Sequence, residues 1–330
     1  MKPFKQYFKM HSFTDLSTLF EKDFNRRHFP ETPVNLYDAA QYILRIGGKR
    51  VRPVSVLMTN ELFDEIHSDA YHVATAIELF HNFSLIHDDI MDKAPLRRGM
   101  ETVHMKYGDD TALLAGDVML VAAYEEINKI DFSRLHAILT LFSRTAKEVC
   151  EGQQLDMDFE KKDSVTIDEY LHMISLKTSV LLAASMQMGA IIGGASQGNQ
   201  QHVYEFGKNL GIAFQVQDDY LDAFGNPEKF GKQVGGDILA NKKTFLLIHA
   251  MDVANEKQKA DLLQLLSTNE EDKVAKVLAI FKECKVDEWA ESLKEKYFLI
   301  AMKHLEDTAV MESRKAELRK LAQYLLQRES

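Results

Sequence analysis

The chain has 330 residues, 45% of them hydrophobic, and a formal net charge of −10. That charge argues against nucleic acid or an anionic membrane as a general partner and leaves only local basic clusters to bind small anions. Cys150 and Cys284, the two cysteines, are too few for a disulfide framework and too far apart for a zinc site, and read as buried thiols in a reducing cytoplasm.

The first segment, MKPFKQYFKMHSF, mixes lysines with aromatics and has no apolar signal core or small-residue cleavage site, so no secretion signal is expected. GGKRVRP (47–53) is a glycine-started, proline-ended turn that carries Lys49, Arg50 and Arg52. Beyond it, Ala76, Ile77, Leu79, Phe80, Phe83 and Ile86 recur at spacings of three and four and predict a helix from Asp69 to Asp92 that stops before Pro95. Asp88 and Asp92 then share one face, with Asp89 about 100° away. Like charges at contact distance repel by about 1 kcal/mol per pair in water and about 4 at a protein-like effective dielectric. The helix's carboxyl end already carries the negative pole of its dipole, so the triplet is unfavourable twice over unless cations bind it.

Further along, VLLAASMQMGAIIGGA (180–195) is apolar but shorter than the ~20 residues that span a bilayer, and reads as a buried helix. FQVQDDYLDAFG (214–225) repeats the DDxxD arrangement in Asp218, Asp219 and Asp222, again after an apolar helical stretch and before a glycine-containing loop. Hard divalent ions take such oxygen ligands, and Mg²⁺ typically adds water and phosphate oxygens. Arg97 and Arg98 follow the first triplet; Lys177 with Thr178, Lys232, Lys242 and Lys243 supply further donors. Arginine forks and lysine point charges beside carboxylate-held metal suit a diphosphate. No proline follows Pro227 and no glycine follows Gly236, so the last part of the chain is expected to be helical. Period-2 alternation is hard to find, and one all-α domain of about ten or more helices is expected.

In these motifs, together with RRGMETVH, LLAGDVML, EGQQLDMDF, LKTSVLLAASMQMGA and GKQVGGDILANKKT, the sequence resembles the trans-isoprenyl diphosphate synthases, or polyprenyl synthetases, over nearly its whole length. The resemblance implies a single domain over 1–330, an all-α isoprenoid-synthase-type helical bundle with a central cavity, a homodimer, a cytoplasmic location and no membrane anchor. It implies three Mg²⁺ ions held between the two aspartate motifs, with Asp88, Asp92 and Asp218 as principal ligands and Asp89, Asp219 and Asp222 completing the shells. Arg97, Lys177, Thr178, Gln215, Lys232 and Lys242 match contacts to an allylic diphosphate. Lys49, Arg52, His81 and Arg98 match the grip on isopentenyl diphosphate, which arrives without metal. Phe80, Phe83 and Ser84 match positions that set product length; an aromatic at Phe83 with small Ser84 beside it implies a C15 to C20 product, geranylgeranyl diphosphate favoured. Two other readings stay open at this point: a non-catalytic subunit of a heteromeric synthase, and a terpene cyclase on the same fold. DDYLD and GGKRVRP weigh against the cyclase, and two intact aspartate motifs weigh against the non-catalytic subunit.

Overall fold

The computed structural model describes residues 10–225, 235–268 and 272–326. Helices dominate it, as expected for an all-α protein, and the chain divides into two compact units. The first comprises Met1–Arg144, Ala184–Val203 and Thr308–Glu317, the second Thr145–Ala183, Tyr204–Asp307 and Leu318–Ser330.

In the first unit, α1 (Phe13–Phe24) starts at a reciprocal cap between Ser12 and Asp15. Helix α2 (Val34–Ile46) ends at Gly47, and α3 (Val51–Phe63) begins at Arg50, whose φ of 53° is left-handed. Nearly every α3 residue is buried, so the helix forms part of the core rather than of the surface. Helix α4 (Ser68–Met91) carries the first acidic triplet at its end. After it comes a feature the sequence pattern did not disclose, a minimal hairpin of β1 (Leu96–Arg97) and β2 (Met100–Glu101). Arg98 and Gly99, at φ 52° and 77°, form its two-residue turn of the kind that needs positive φ at both positions. Helices α5 (Val103–Tyr107) and α6 (Asp109–Ile127) follow. Along α6 the residues turned inward are Ala112, Ala115, Gly116, Met119 and Ala123. These short side chains let α4 and α6 approach closely.

Helix α7 (Phe132–Lys161) enters the second unit. Helix α8 (Ile167–Ile174), a π turn (Ser175–Ser179) and α9 (Val180–Ile192) run on as one helix, of which the part up to Ala183 belongs to the second unit and the rest to the first. The apolar run is therefore part of a longer element than expected: Ile167–Ile192 is long and apolar enough to cross a membrane, yet 72% of its most apolar window is buried inside the protein. Helix α10 (Gln197–Phe224) carries the second triplet. The remaining elements are α11 (Gly236–Leu239), α12 (Phe245–Val253), α13 (Glu256–Ser267), α14 (Lys273–Glu283), α15 (Val286–Asp307) and α16 (Glu312–Leu326). Tyr170, Phe245, Phe281 and Val216 belong to this unit's core, with Trp289 packed against it. The cysteines depart from expectation: both are free thiols, but Cys150 is exposed and Cys284 only partly buried.

Candidate active site

Helix α4 stops where Pro95 forbids its continuation, with Asp92 as the capping residue. The tight hairpin then folds Arg97 back onto the helix end, where Nε and Nη2 donate to the two oxygens of Asp89 at 2.8 and 2.7 Å. Nη2 also lies 3.6 Å from Asp88 Oδ2. Burial works against the Arg97 charge, but the bonds to Asp89 and the nearby Asp88 and Asp92 outweigh it and raise the guanidinium's pKa. Asp89, only 2% exposed, is thus turned inward and occupied, while Asp88 is partly open and Asp92 exposed.

The basic turn splits its residues between two tasks. Arg50 is buried, ion-paired to Glu78, bonded to Leu44 O at 3.1 Å and set over the Phe24 ring at 5.1 Å. It anchors the turn. Arg52 points the other way along the chain's chemistry, with Nη1 3.4 Å from His81 Nε2. The guanidinium of Arg98 lies over Gly48, so close that a Cβ at that position would come within 2.7 Å of Nη1. Burial, and then the charges of Arg52, Arg98, Arg97 and Arg50, push the His81 pKa well below its usual value. A neutral imidazole facing an arginine accepts through Nε2 and keeps its proton on Nδ1. The Arg98 pKa is lowered as well, by burial and then by Arg97. Arg52 is thus paired with His81, Arg98 lies near enough to act on the imidazole's charge, and Lys49 is exposed next to Gly48.

The expected length-setting residues lie on the same helix. Phe80 and Phe83 are buried with ring centroids 5.5 Å apart; Phe80 meets Phe142 edge-on at 5.4 Å, and Phe83 meets His87 at 4.7 Å. The Ser84 hydroxyl turns back to His81 O at 2.8 Å.

In the second unit the middle aspartate is again the buried one. Asp219, 6% exposed, accepts hydrogen bonds from the Tyr170 hydroxyl and from Gln215 Nε2 at 2.9 Å. Gln215 Oε1 in turn accepts from Thr178 Oγ1 at 3.3 Å. Burial and the charge of Asp237 push the Asp219 pKa up to about 8; the bonds from Tyr170 and Gln215 resist the rise and the Asp218 charge adds to it. Asp222 accepts from the Asp237 amide at 3.0 Å. Lys177 sits in the π turn and bonds Asp156 Oδ2 at 2.6 Å. That turn fits because two glycines face it: a Cβ on Gly152 would lie 2.3 Å from Lys177 N, and one on Gly211 2.8 Å from Ser179 Cα. Lys242 Nζ lies 3.7 Å from Asp237 Oδ1, whereas Lys243 is spent on the Phe159 and Glu160 carbonyls at 2.8 and 3.1 Å. Lys232 lies outside the described residues.

Four site residues escaped the sequence reading. Glu78, Asp156, Tyr170 and Asp237 act as partners of Arg50, Lys177, Asp219 and Lys242 respectively. Asp156 had a signal, its place in EGQQLDMDF. Tyr170 had none, being far from Asp219 in sequence.

Both acidic sets consist of hard oxygen donors, the class that Mg²⁺ and Ca²⁺ take. Among the described residues no three acidic, histidine or cysteine side chains converge on one point. An ion bound here takes one or two carboxylates and completes its shell with water and phosphate oxygens, the habit of Mg²⁺. Burial chiefly, and after it the Asp237 and Asp218 charges, disfavour a bare carboxylate at Asp219, and a nearby cation would offset that cost. The residues therefore fit a divalent ion that arrives with a diphosphate.

Residues 33–284 match the polyprenyl synthetase family. A short chain isoprenyl diphosphate synthase of Methanothermobacter thermautotrophicus is 38% identical over 299 residues, which cover 90% of this chain and 92% of that protein. A geranylgeranyl pyrophosphate synthase of Geoglobus acetivorans is 38% identical over 301 residues, 91% of this chain and 92% of its own. Among solved structures, a geranylgeranyl pyrophosphate synthase is 42% identical with a TM-score of 0.92, covering 97% of this chain and 100% of its own. A polyprenyl synthase of Caulobacter crescentus, complexed with calcium and isoprenyl diphosphate, is 25% identical with a TM-score of 0.84 over 98% of this chain and 99% of its own. With its two acidic helix ends, its basic turn and this breadth of similarity, the chain belongs to the polyprenyl synthetase family and is a trans-prenyltransferase of the short-chain type.

Proposed function

We propose that the protein condenses isopentenyl diphosphate with an allylic diphosphate primer, with geranylgeranyl diphosphate as its main product, in the cytoplasm and as a homodimer. The observation that carries this reading is the shared division of labour in the two triplets. In each, the middle aspartate is buried and tied down, Asp89 by Arg97 and Asp219 by Tyr170 and Gln215, while its neighbours are more open. Asp88, Asp92, Asp218 and Asp222 would then hold Mg²⁺.

A divalent ion held by these aspartates would supply positive charge to the departing diphosphate. Lys177 and Lys242 add positive charge on the same leaving group, and Arg97 adds more while fixing Asp89. Lys49, Arg52 and Arg98 hold the diphosphate of isopentenyl diphosphate without metal; neutral His81 accepts from Arg52 and keeps that guanidinium oriented. The double bond of isopentenyl diphosphate attacks the allylic carbon, the new carbon–carbon bond forms, and the proton lost from the adduct passes to released diphosphate. Thr178 and Gln215, already bonded to each other, direct their oxygens toward the cationic carbon. Phe83 and then Phe80 stop the growing tail. A homodimer is supported by α6, where Leu113, Leu114 and Val121 are exposed within one arc of about 100°.

Incubation of the purified protein with Mg²⁺, isopentenyl diphosphate and farnesyl diphosphate, followed by product chromatography, tests the reading. A C20 product is expected, with Asp88→Asn or Asp218→Asn lowering turnover by about 10³-fold, the scale of losing an electrostatic stabiliser. Phe83→Ala should lengthen the product, more so with Phe80→Ala. No chain elongation by the wild type, or full turnover in either aspartate variant, overturns it.

A further inference from the structure

Lys273 is the first residue of α14, is 1% exposed, and donates through Nζ to Asn241 Oδ1 at 2.6 Å. Three things make this placement costly. A lysine is almost never fully buried without a charged partner, and Lys273 makes no ion pair among the described residues. A cation in the first turn of a helix also faces the positive pole of its dipole. Its one hydrogen-bond partner among the described residues, moreover, is a neutral amide on an exposed residue.

That amide belongs to a particular backbone position. Asn241 has φ 55°, the left-handed region, and stands one residue past the cap of α11. Its N–H donates to Ile238 O at 3.2 Å and the next N–H, of Lys242, donates to Asp237 O at 2.9 Å. This is the paired closure of a helix by a left-handed residue, and it sets the direction in which Lys242 leaves. The other end of α11 is fixed to the second acidic triplet: Gly235 N donates to Asp222 O at 2.6 Å and Asp237 N to Asp222 Oδ2 at 3.0 Å. Val274, next to Lys273, packs so near Gly235 that a Cβ there would lie 2.5 Å from its Cγ1.

We infer that Lys273 is a positioning residue: its buried ammonium holds Asn241 in the left-handed conformation and thereby fixes the one-turn helix that links Asp222 to Lys242. The inference rests on the assignment of Lys242 to the allylic diphosphate. It accounts for a buried charge that no core requires, since methionine would fill the same volume.

The test compares Lys273→Met, Asn241→Ala and the double variant Lys273→Met with Asn241→Gly. Loss of the hold should raise the KM for the allylic diphosphate about tenfold in the first two, the scale of one hydrogen bond, and leave the KM for isopentenyl diphosphate within about twofold. Glycine adopts the left-handed conformation unaided, so the double variant should recover most of the allylic KM. Hydrogen exchange of the peptide spanning 236–244 supplies a readout that needs no turnover: faster in Lys273→Met, slowed again in the double variant. If the exchange follows this pattern while no prenyl transfer occurs even in the wild type, the assignment of function fails and the role of Lys273 stands. Unchanged exchange in Lys273→Met, or equal rises in both KM values without rescue by glycine, overturns the inference. Should Lys273→Met fail to fold, Asn241→Ala and Asn241→Gly decide it alone, alanine reproducing the defect and glycine not.

Discussion

His81 is buried among four arginines, and its charge state follows from that burial first and from their charges second. Because its pKa lies well below the ordinary 6.5 in the folded protein, the unfolded chain takes up this proton first as the solution is acidified. Stability is untouched by His81 above about pH 6.5 and falls as pH drops below it. Urea unfolding followed between pH 7 and pH 5 should show that decline, and His81→Gln should flatten it; an identical slope in the variant would exclude His81 as the source. The basic residues separate by substrate at the same scale. Lys49→Ala and Arg52→Ala should chiefly weaken isopentenyl diphosphate, and Lys177→Ala the allylic primer, each by about tenfold or more, as for removal of a charged hydrogen bond. Calorimetric titration of each substrate checks this, and equal losses for both in every variant would remove the two-site assignment.

Among the elements, the π turn between α8 and α9 owes its position to what its neighbours lack. Gly152 and Gly211 let α7 and α10 approach it, and the space for a methyl group is absent at both. Gly152→Ala should cost about 1–3 kcal/mol by overpacking. It should also displace Lys177, whose backbone nitrogen it meets. Denaturant midpoints and the allylic KM measure the two effects; a variant as stable as wild type would show that the turn yields freely. The segment LKTSVLLAASMQMGA announces a helix through its composition, but the widened turn within it comes from packing against two other helices.

At the scale of the whole molecule, α6 carries apolar side chains on its outer as well as its inner face. One side packs on α4 and α2, while Leu113, Leu114 and Val121 face outward with Asp110, Asp117 and Glu125. The three exposed apolar side chains would lose contact with water under a partner, and a second copy of the chain is the cover proposed above. Sedimentation at micromolar concentration should give a dimer, and the double variant Leu114→Glu, Val121→Glu a monomer. A monomeric wild type would reject the proposed assembly.

The sequence by itself determined the helical class and the two acidic helix ends, because both rest on spacing within a few residues: period 3.6, DDxxD, Pro95 after the first triplet. It also held the family, since many short motifs occur in order along one chain. Only the tertiary structure decided which carboxylate in each triplet is tied down. That depends on Arg97 returning through a hairpin and on Tyr170, from another helix, meeting Asp219. The same holds for Arg50 against Arg52, neighbours in one motif whose tasks diverge because Glu78 buries the first and His81 meets the second. Local pattern fixes which groups are available at a site; burial and contacts between distant segments fix which of them are already used.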